Sequence, residues 1–413
     1  MNEKLLEQLH QAKNAARQMM NMSTEIKNQA LRNIAETLQK HVLDIIKENQ
    51  KDIENAKASG MSEAMIDRLL LNEERIISMS QDVLKLIDLS DPVGEIIREI
   101  KRPNGLLIRQ VRIPIGVFGI IYESRPNVTV DIASLCIKSG NVCILKGGKE
   151  AIHSNLFLTR LMQEAIDGIL PVECVQLIDY GGREMVDELI HAYGYVDVVV
   201  PRGGAGLIQH VVCNATVPVI ETGAGNCHLY IDKEANMKKA IDITINAKIQ
   251  RPSVCNAIET ILVHRDIADV YLPLLYQHFQ ERVEIRGDAS VQKIIPCQPV
   301  TDKDYATEYD DYIVAVHVVK DVQEAIEHIY QYSTKHSEAI VTENLETACL
   351  FLKTVDSACV YHNASTRFSD GGQFGFGAEL GISTQKLHAR GPLGLLEMTS
   401  YQYQIHGQGQ VRE

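Results

Sequence analysis

Strand-like and helix-like segments alternate along this chain from residue 114 onward, and that alternation constrains the fold more than any other feature. The strand segments are apolar throughout, as in the runs Val142–Leu145 and Val198–Val200. Strands that are buried on both faces have such continuous apolar sequences. Repeated βαβ units form a parallel sheet that helices cover on both sides. The sequence therefore predicts an α/β fold. The predicted strands are 115–122, 142–146, 174–178, 196–200 and 217–221, with helices at 128–139, 154–169, 183–193 and 204–213.

A second α/β run follows a helix predicted at 234–249. Before both runs, residues 1–90 are almost wholly helical in pattern, and the tail 399–406 alternates like a strand that needs a sheet edge. A chain of 413 residues is long enough for two or three cores. The second run has predicted strands near 257–263, 312–319, 338–342 and 357–361, with helices at 266–280, 321–332 and 345–354.

Charge and cysteine usage exclude several classes of protein. The 41 basic and 54 acidic residues give a net charge of −13, which argues against nucleic acid or an anionic membrane as partner. No uncharged apolar run approaches the roughly 18–20 residues that span a bilayer. The nine cysteines are scattered, with no C-x-x-C pair, which favours a reduced, cytoplasmic protein without a disulfide framework or a metal site. Four of them lie in apolar runs and are predicted to be buried: Cys136, Cys143, Cys213 and Cys359.

One cysteine stands where a reactive cysteine is expected. The segment Gln250-Arg-Pro-Ser-Val-Cys-Asn-Ala joins the helix 234–249 to the strand 257–263. Pro252 ends the helix, because it donates no N–H and restricts Arg251 to extended geometry. Cys255 therefore lies on a short connection beside a guanidinium, and nearby positive charge favours the thiolate. The alternative is a small hydrophobic residue in the core, which is the common role of a free cysteine.

Two turns in the first α/β run are candidates for binding a nucleotide, although G-x-G-x-x-G is missing. Gly203 and Gly204 follow a strand and open a helix, where free N–H groups and the helix dipole favour an anion. Lys146 ends another strand, at the carboxyl edge where nucleotides usually dock. An ordinary glycine turn and a solvated basic turn are the alternatives.

Two further strand ends carry groups suited to catalysis. Asn127 follows the first strand and is a candidate oxyanion donor, or else a helix cap. Glu221 stands at the end of the segment 217–221, where a carboxylate could act as a base, or else as a turn residue. The glycine-rich stretch 368–381 predicts a loop that closely approaches a ligand or another segment.

Taken in order, these motifs resemble the aldehyde dehydrogenase superfamily. The resemblance makes Cys255 the nucleophile, Asn127 the oxyanion asparagine and Glu221 the general-base glutamate. It implies that Lys146 meets the adenosine ribose and its 2′ substituent, and that Glu308 reaches the nicotinamide ribose. The sequences of three longer stretches are more similar to one branch, the γ-glutamyl phosphate reductases. Those stretches are Tyr122-Glu-Ser-Arg-Pro-Asn-Val-Thr, Gln250-Arg-Pro-Ser-Val-Cys-Asn-Ala-Ile-Glu-Thr and Gly381-Ile-Ser-Thr-Gln-Lys-Leu-His-Ala-Arg-Gly-Pro.

The resemblance implies an aldehyde dehydrogenase-like fold with a Rossmann-type cofactor domain, an α/β catalytic domain and a small β flap for oligomerisation. It also implies reduction of γ-glutamyl phosphate by NADPH, through a cysteine thioester, to glutamate 5-semialdehyde and phosphate in proline biosynthesis. A homo-oligomer and a partnership with γ-glutamyl kinase are expected on the same ground. The domains then are 1–105, 128–225 and 378–400 for NADP binding, 226–377 for catalysis, and 106–127 with 401–413 for oligomerisation strands.

Substrate contacts are assigned on chemistry and loop position. Arg251, Arg367 and the pair Ser365-Thr366 are candidates for the carboxylate or the phosphate, with surface arginines that cap loops as the alternative. Two rival functions remain open at this level. One is a hydrolytic aldehyde dehydrogenase for a small aldehyde, with Glu221 as base, and the other is a non-catalytic partner of γ-glutamyl kinase.

Overall fold

The computed structural model describes residues 1–412, which form two compact units. The first unit comprises Met1–Thr222, Gly375–Gly381 and the C-terminal residues from Leu393 on. The second comprises Gly223–Phe374 and Ile382–Pro392. The chain therefore crosses between the units several times near its C-terminus, and residues 382–392 of the predicted NADP-binding range 378–400 fall in the second unit.

Helices and strands are numbered in chain order. The helices are α1 (Glu3–Met19), α2 (Thr24–Lys40), α3 (Val42–Ala58), α4 (Glu63–Leu69), α5 (Glu73–Asp88), α6 (Asn127–Lys138), α7 (Ile152–Ile166), α8 (Arg183–Ile190), α9 (Ala205–Asn214), α10 (Met237–Ile249), α11 (Arg265–Phe279), α12 (Ala289–Gln292), α13 (Asp302–Tyr305), α14 (Val322–Tyr332) and α15 (Leu345–Thr354). The strands are β1 (Ile96–Lys101), β2 (Leu107–Pro114), β3 (Val117–Tyr122), β4 (Val142–Gly147), β5 (Val175–Leu177), β6 (Val198–Arg202), β7 (Cys227–Ile231), β8 (Ile258–His264), β9 (Glu284–Gly287), β10 (Gln298–Pro299), β11 (Ile313–Val319), β12 (Ser337–Val341), β13 (Cys359–His362), β14 (Gly381–Ser383), β15 (Gly391–Leu393) and β16 (Thr399–His406).

The N-terminal block is helical, as its pattern predicts. Polar residues begin these helices: the side chain of Asn2 accepts the N–H of Leu5, and Asn72 accepts that of Arg75. Each long helix buries one stripe, which in α1 includes Leu5 and Leu9. None of the helices in residues 1–412 is both long and apolar enough to cross a lipid bilayer.

A four-stranded parallel sheet forms the centre of the first unit, with the strand order β5-β4-β3-β6. All six residues of β3 are buried, because neighbouring strands flank it and helices cover it. The strand predicted at 217–221 is wrong: Val219 pairs with Val199 in an isolated bridge and not in a continuous ladder. Pro218 lies in this segment and has no N–H to donate to a ladder.

A separate three-stranded antiparallel sheet contains β1, β2 and β16. The tail strand is confirmed at 399–406, and its partner is β2 of the same chain, with Tyr403 opposite Gln110. The range 106–127, predicted to hold oligomerisation strands, spans two sheets, since β3 belongs to the parallel sheet. The third strand of the small sheet is β1, which the sequence assigned to the cofactor domain.

The second unit is built on a seven-stranded sheet in the order β10-β9-β11-β8-β7-β12-β13, with every pair parallel. The predicted strands 257–263, 312–319, 338–342 and 357–361 correspond to β8, β11, β12 and β13. The sequence missed β7, which lies beside β8. It contains His228, a residue that breaks the apolar run but is buried here against the Glu338 carboxylate.

Candidate active site

Cys255 lies on the connection that the sequence predicted, between the end of α10 and the start of β8. Its side chain is partly exposed, whereas Cys136, Cys143 and Cys359 are buried, as predicted. Cys213 is the exception, because it lies on the solvent side of α9 and is exposed. A partly exposed cysteine on a rigid connection satisfies the access that a nucleophile needs.

The backbone of Cys255 packs against the segment that precedes β7. Gly225 packs so closely against it that a Cβ at position 225 would lie 1.5 Å from the Cys255 carbonyl oxygen. The N–H of Gly225 donates to Glu308 Oε1 at 2.8 Å, and the thiol of the buried Cys227 donates to the Cys255 carbonyl at 3.2 Å. Only glycine fits at position 225, so this segment sets the position of the Cys255 backbone.

The other side of the loop is held by residues 365–369. The Thr366 hydroxyl donates to the Asn256 carbonyl at 2.7 Å, and the Asn256 amide donates to the Ser369 carbonyl at 2.9 Å. The Ser365 hydroxyl accepts the N–H of Arg367. The structure thus brings Thr366 to the residue after Cys255, with Ser365 next to it, but both hydroxyls are already engaged with backbone atoms.

Two arginines lie near the Cys255 loop. Arg367 is half-buried, and its Nε donates to Gln250 Oε1 at 3.1 Å, while Arg251 is exposed. Burial lowers the pKa of Arg367 and the positive charge of Arg251 lowers it further, with Asp370, Cys255 and Cys227 acting in the opposite direction. Both guanidinium groups therefore act on the same small region as Cys255, where a cluster of cations favours anions.

An ion pair lies at the two ends of this loop, and the sequence analysis missed it. Lys248 in the last turn of α10 and Glu259 in β8 are fully buried, with 2.6 Å between Nζ and Oε2. Burial raises the pKa of Glu259 to about 8, against the opposing charge of Lys248, and burial also lowers the pKa of Lys248. A helical lysine is usually solvated, so only the fold reveals this pair.

In the first unit, the predicted residues gather at the carboxyl edge of the parallel sheet. Asn127 begins α6 after β3, and its amide donates to Asp131 Oδ2 at 2.8 Å. Burial raises the pKa of Asp131 to about 6, while the hydrogen bond from Asn127 lowers it. An ionised carboxylate only accepts hydrogen bonds, so it holds the NH₂ group of Asn127 and leaves one N–H for another acceptor.

Lys146 ends β4 at the same edge but is only 9 % exposed. Its ammonium donates to the carbonyl of Tyr180 at 3.1 Å and lies 3.4 Å from that of Ile178. Burial lowers the pKa of Lys146, and the charges of Glu184 and Asp179 oppose this shift. Lys146 lies near the end of its strand, as predicted, but its ammonium already donates to a backbone carbonyl, and the carboxylates of Glu184 and Asp179 are near it.

Gly203 and Gly204 form the turn that opens α9, as predicted. The N–H of Gly204 donates to Glu123 Oε2 at 3.0 Å, and a Cβ at Gly203 would meet the same oxygen at 2.5 Å. An anionic group thus already accepts from this turn, which fits the chemistry of a phosphate cradle. Sequence analysis did not identify Glu123, which gives no motif signal of its own.

The remaining candidate, Glu221, is partly exposed and belongs to the end of the first unit. Glu308 belongs to the second unit and joins the Cys255 group through Gly225. No group of three or more His, Cys, Asp or Glu side chains within residues 1–412 is arranged to hold a metal ion. Each unit therefore assembles its own set of predicted residues.

Comparisons with known proteins agree with this architecture. A sequence model of the aldehyde dehydrogenase family matches residues 2–313. The chain is 53% identical to a γ-glutamyl phosphate reductase of Halothermothrix orenii over 100% of this chain and 99% of the relative, and 53% identical to one of Petrotoga mobilis over 100% of both chains. The crystal structure of γ-glutamyl phosphate reductase from Thermotoga maritima is 48% identical, covers 100% of both chains and superposes with a TM-score of 0.97. An acetylating aldehyde dehydrogenase from Geobacillus thermoglucosidasius, at 16% identity and a TM-score of 0.71 over 100% of this chain and 98% of that one, shares the fold.

Proposed function

Because the chain belongs to the aldehyde dehydrogenase family and, within it, to the γ-glutamyl phosphate reductases, we propose that it reduces γ-glutamyl phosphate to glutamate 5-semialdehyde and releases phosphate, as a step of proline biosynthesis. The observation that carries the proposal is the partly exposed Cys255 with Arg251 and Arg367 around it, in a chain 53% identical to such reductases along its full length.

Cys255 is the proposed nucleophile. Its thiolate attacks the acyl carbon, the bond from that carbon to the phosphate oxygen breaks, and a thioester forms while phosphate leaves. The cations of Arg251 and Arg367 stabilise the thiolate and compensate the negative charge of the phosphate as it approaches and departs. Phosphate is a good leaving group, so no strong acid is required for this step.

Oxyanion stabilisation is assigned to Asn127 and to the N–H of Cys255. The amide of Asn127 is anchored on Asp131, and its second N–H is the proposed donor. Donors that are fixed before the reaction stabilise developing charge without reorganisation, which is the largest single contribution in many acyl-transfer enzymes.

A nicotinamide cofactor fits the first unit, because the turn at Gly203 leaves no room for a Cβ and its neighbour Gly204 already donates to a carboxylate. When bound, the cofactor would supply a hydride to the acyl carbon, and the bond from that carbon to Cys255 Sγ would then break, releasing the aldehyde and restoring the thiolate. We assign Gly203 and Gly204 to its phosphates, Lys146 to the adenosine ribose with its 2′-phosphate, and Glu308 to the other ribose. NADPH is the proposed form, since a cation beside a 2′-phosphate favours it over NADH.

Glu221 is kept as a proposed catalytic residue with a limited role. A base that activates water would hydrolyse the thioester and waste it, so hydrolysis is a side reaction in this scheme.

We further propose that the protein works in the cytoplasm as a homo-oligomer and receives its labile substrate from a γ-glutamyl kinase.

The function is tested in the oxidative direction with glutamate 5-semialdehyde and NADP. We expect NADP reduction to require phosphate, because phosphate must release the acyl group from Cys255. Reduction of NADP at the same rate without phosphate would indicate a hydrolytic aldehyde dehydrogenase. No turnover under either condition would indicate a non-catalytic protein.

A further inference from the structure

The buried pair Lys248–Glu259 ties together the two ends of the nucleophile loop. Lys248 lies two residues before the loop begins at Gln250, and Glu259 lies two residues after it ends at Ala257. Both side chains are withdrawn from solvent, with exposures of 0% and 1%. The contact therefore joins the two ends of the loop, here called its stem, on the buried side of the chain.

Fold stability does not explain this pair. Removing two charges from water costs several kcal/mol per ion, and apolar side chains of similar volume often replace such a pair without loss. Glu259 Oε1 has no hydrogen-bond partner and is buried, so the desolvation of this carboxylate is only partly compensated. Two apolar residues would fill the same space at a lower cost, but without the directed Nζ–Oε2 contact that sets the distance between the two ends of the loop.

The carboxylate of the pair acts on Cys227, the buried cysteine that supports the Cys255 loop. Burial raises the pKa of Cys227, and the charges of Glu338, Cys255 and Glu259 raise it further. Cys227 is thus within electrostatic reach of both Glu259 and Cys255, and its thiol donates to the Cys255 carbonyl. Glu259 and Cys255 thus share Cys227 as a neighbour, and an uncompensated carboxylate in this region would disfavour a thiolate.

We propose that Lys248 and Glu259 are positioning residues for Cys255, which fix the two ends of its loop and keep the net charge between those ends neutral. They act through Cys255 and touch neither substrate nor cofactor. This inference rests on the proposed function, in that it takes Cys255 as the nucleophile.

The test replaces the pair by apolar residues of similar size, in the variant Lys248→Met/Glu259→Leu. Iodoacetamide labelling of Cys255, followed by peptide mass spectrometry as a function of pH, reports thiolate reactivity without any substrate. We expect an equal or higher melting temperature, labelling at neutral pH slowed by about tenfold or more, and a kcat reduced by a similar factor with cofactor KM within about twofold. A folded double variant with wild-type labelling and kcat would overturn the proposal.

A second buried ion pair provides the matched control. Lys27 and Asp91 lie 2.5 Å apart in the first unit, with side-chain exposures of 1% and 8%. Lys27→Met/Asp91→Asn removes that pair and is expected to leave Cys255 labelling and kcat within about twofold of wild type. A loss equal to that of the Lys248–Glu259 variant would show a general effect of losing a buried charge and would refute a positioning role.

Single variants keep the idea testable if the double variant does not fold. Glu259→Gln leaves the Lys248 charge without its counter-ion at the end of the loop and is expected to shift the labelling profile to lower pH, whereas Lys248→Arg keeps the pair and is expected to retain most of the reactivity. Unshifted Glu259→Gln labelling would overturn the proposal. Because labelling needs no γ-glutamyl phosphate, this result stays separate from the substrate assignment, which the phosphate dependence tests.

Discussion

Gly225→Ala is the substitution whose effect the structure defines most sharply. A Cβ at this position would lie 1.5 Å from the carbonyl oxygen, 2.3 Å from the carbonyl carbon and 2.6 Å from the Cα of Cys255. Real Cβ atoms essentially never approach another heavy atom within 3.0 Å. All three contacts are backbone atoms, so no side-chain rotation relieves them and the loop itself has to move.

The size of the effect follows from that displacement. The two segments have to separate by roughly 1.5 Å at the nucleophile, and a misplacement of about 1 Å can cost a factor of about 100 in rate. We therefore expect kcat to fall by about 100-fold or more, equivalent to about 3 kcal/mol of activation free energy. The same shift also strains the hydrogen bond from Gly225 to Glu308, which adds to the loss.

The assay measures kcat with γ-glutamyl phosphate and NADPH, together with circular dichroism melting to establish that the variant is folded. Gly206→Ala is the control, because a Cβ there has nothing within 4 Å and the residue lies in the first turn of α9. It should keep wild-type activity. A folded Gly225→Ala enzyme with kcat within about threefold of wild type would refute the claim that the position of the Cys255 backbone sets its reactivity.

Three further predictions concern the cofactor, pH and assembly. Lys146→Met should weaken NADPH binding by about 1.5–3 kcal/mol and leave NADH little changed in fluorescence titrations, and equal losses for both would contradict the assigned role. Burial lowers the pKa of His336 to about 4, so the unfolded chain takes up this proton first and the free energy of unfolding should fall by about 3 kcal/mol as pH drops from 6.5 towards 4. His336→Asn should remove that part of the slope in denaturant titrations, and an unchanged slope would rule out the residue as its source. Tyr403 and Ile405 are exposed on β16, so Tyr403→Lys/Ile405→Lys should lower the mass seen by light scattering; an unchanged oligomer, or a monomeric wild type, would refute assembly through this strand.

The elements that the sequence predicts well are those whose pattern is local. β3 and β4 are apolar runs between turns, and the Cys255 connection is defined by Pro252 between a helix and a strand. β7 escaped prediction because its burial depends on a carboxylate from another strand, to which the polar His228 hydrogen-bonds. The strand expected at 217–221 failed because its apolar pattern could not offset the missing N–H of Pro218.

Site residues were predicted by type and position but not by their partners. Lys146 lies near the end of its strand and Thr366 lies next to the Cys255 loop, but the ammonium of Lys146 donates to carbonyl oxygens and the Thr366 hydroxyl donates to the loop backbone. Lys248 and Glu259 are eleven residues apart in sequence and meet only because α10 and β8 run side by side. Such contacts follow from packing between elements, which a linear pattern does not record.

Turnover of a Cys255→Ala enzyme tests the central claim most directly, because the covalent route has no other nucleophile assigned. Cys349→Ala is the matched control, since Cys349 is exposed on α15 and outside the proposed site. The account predicts that Cys255→Ala abolishes reduction of γ-glutamyl phosphate while NADPH binding stays within about 0.5 kcal/mol of wild type, and that Cys349→Ala is fully active. A Cys255→Ala enzyme that still reduces γ-glutamyl phosphate at near the wild-type rate would contradict it.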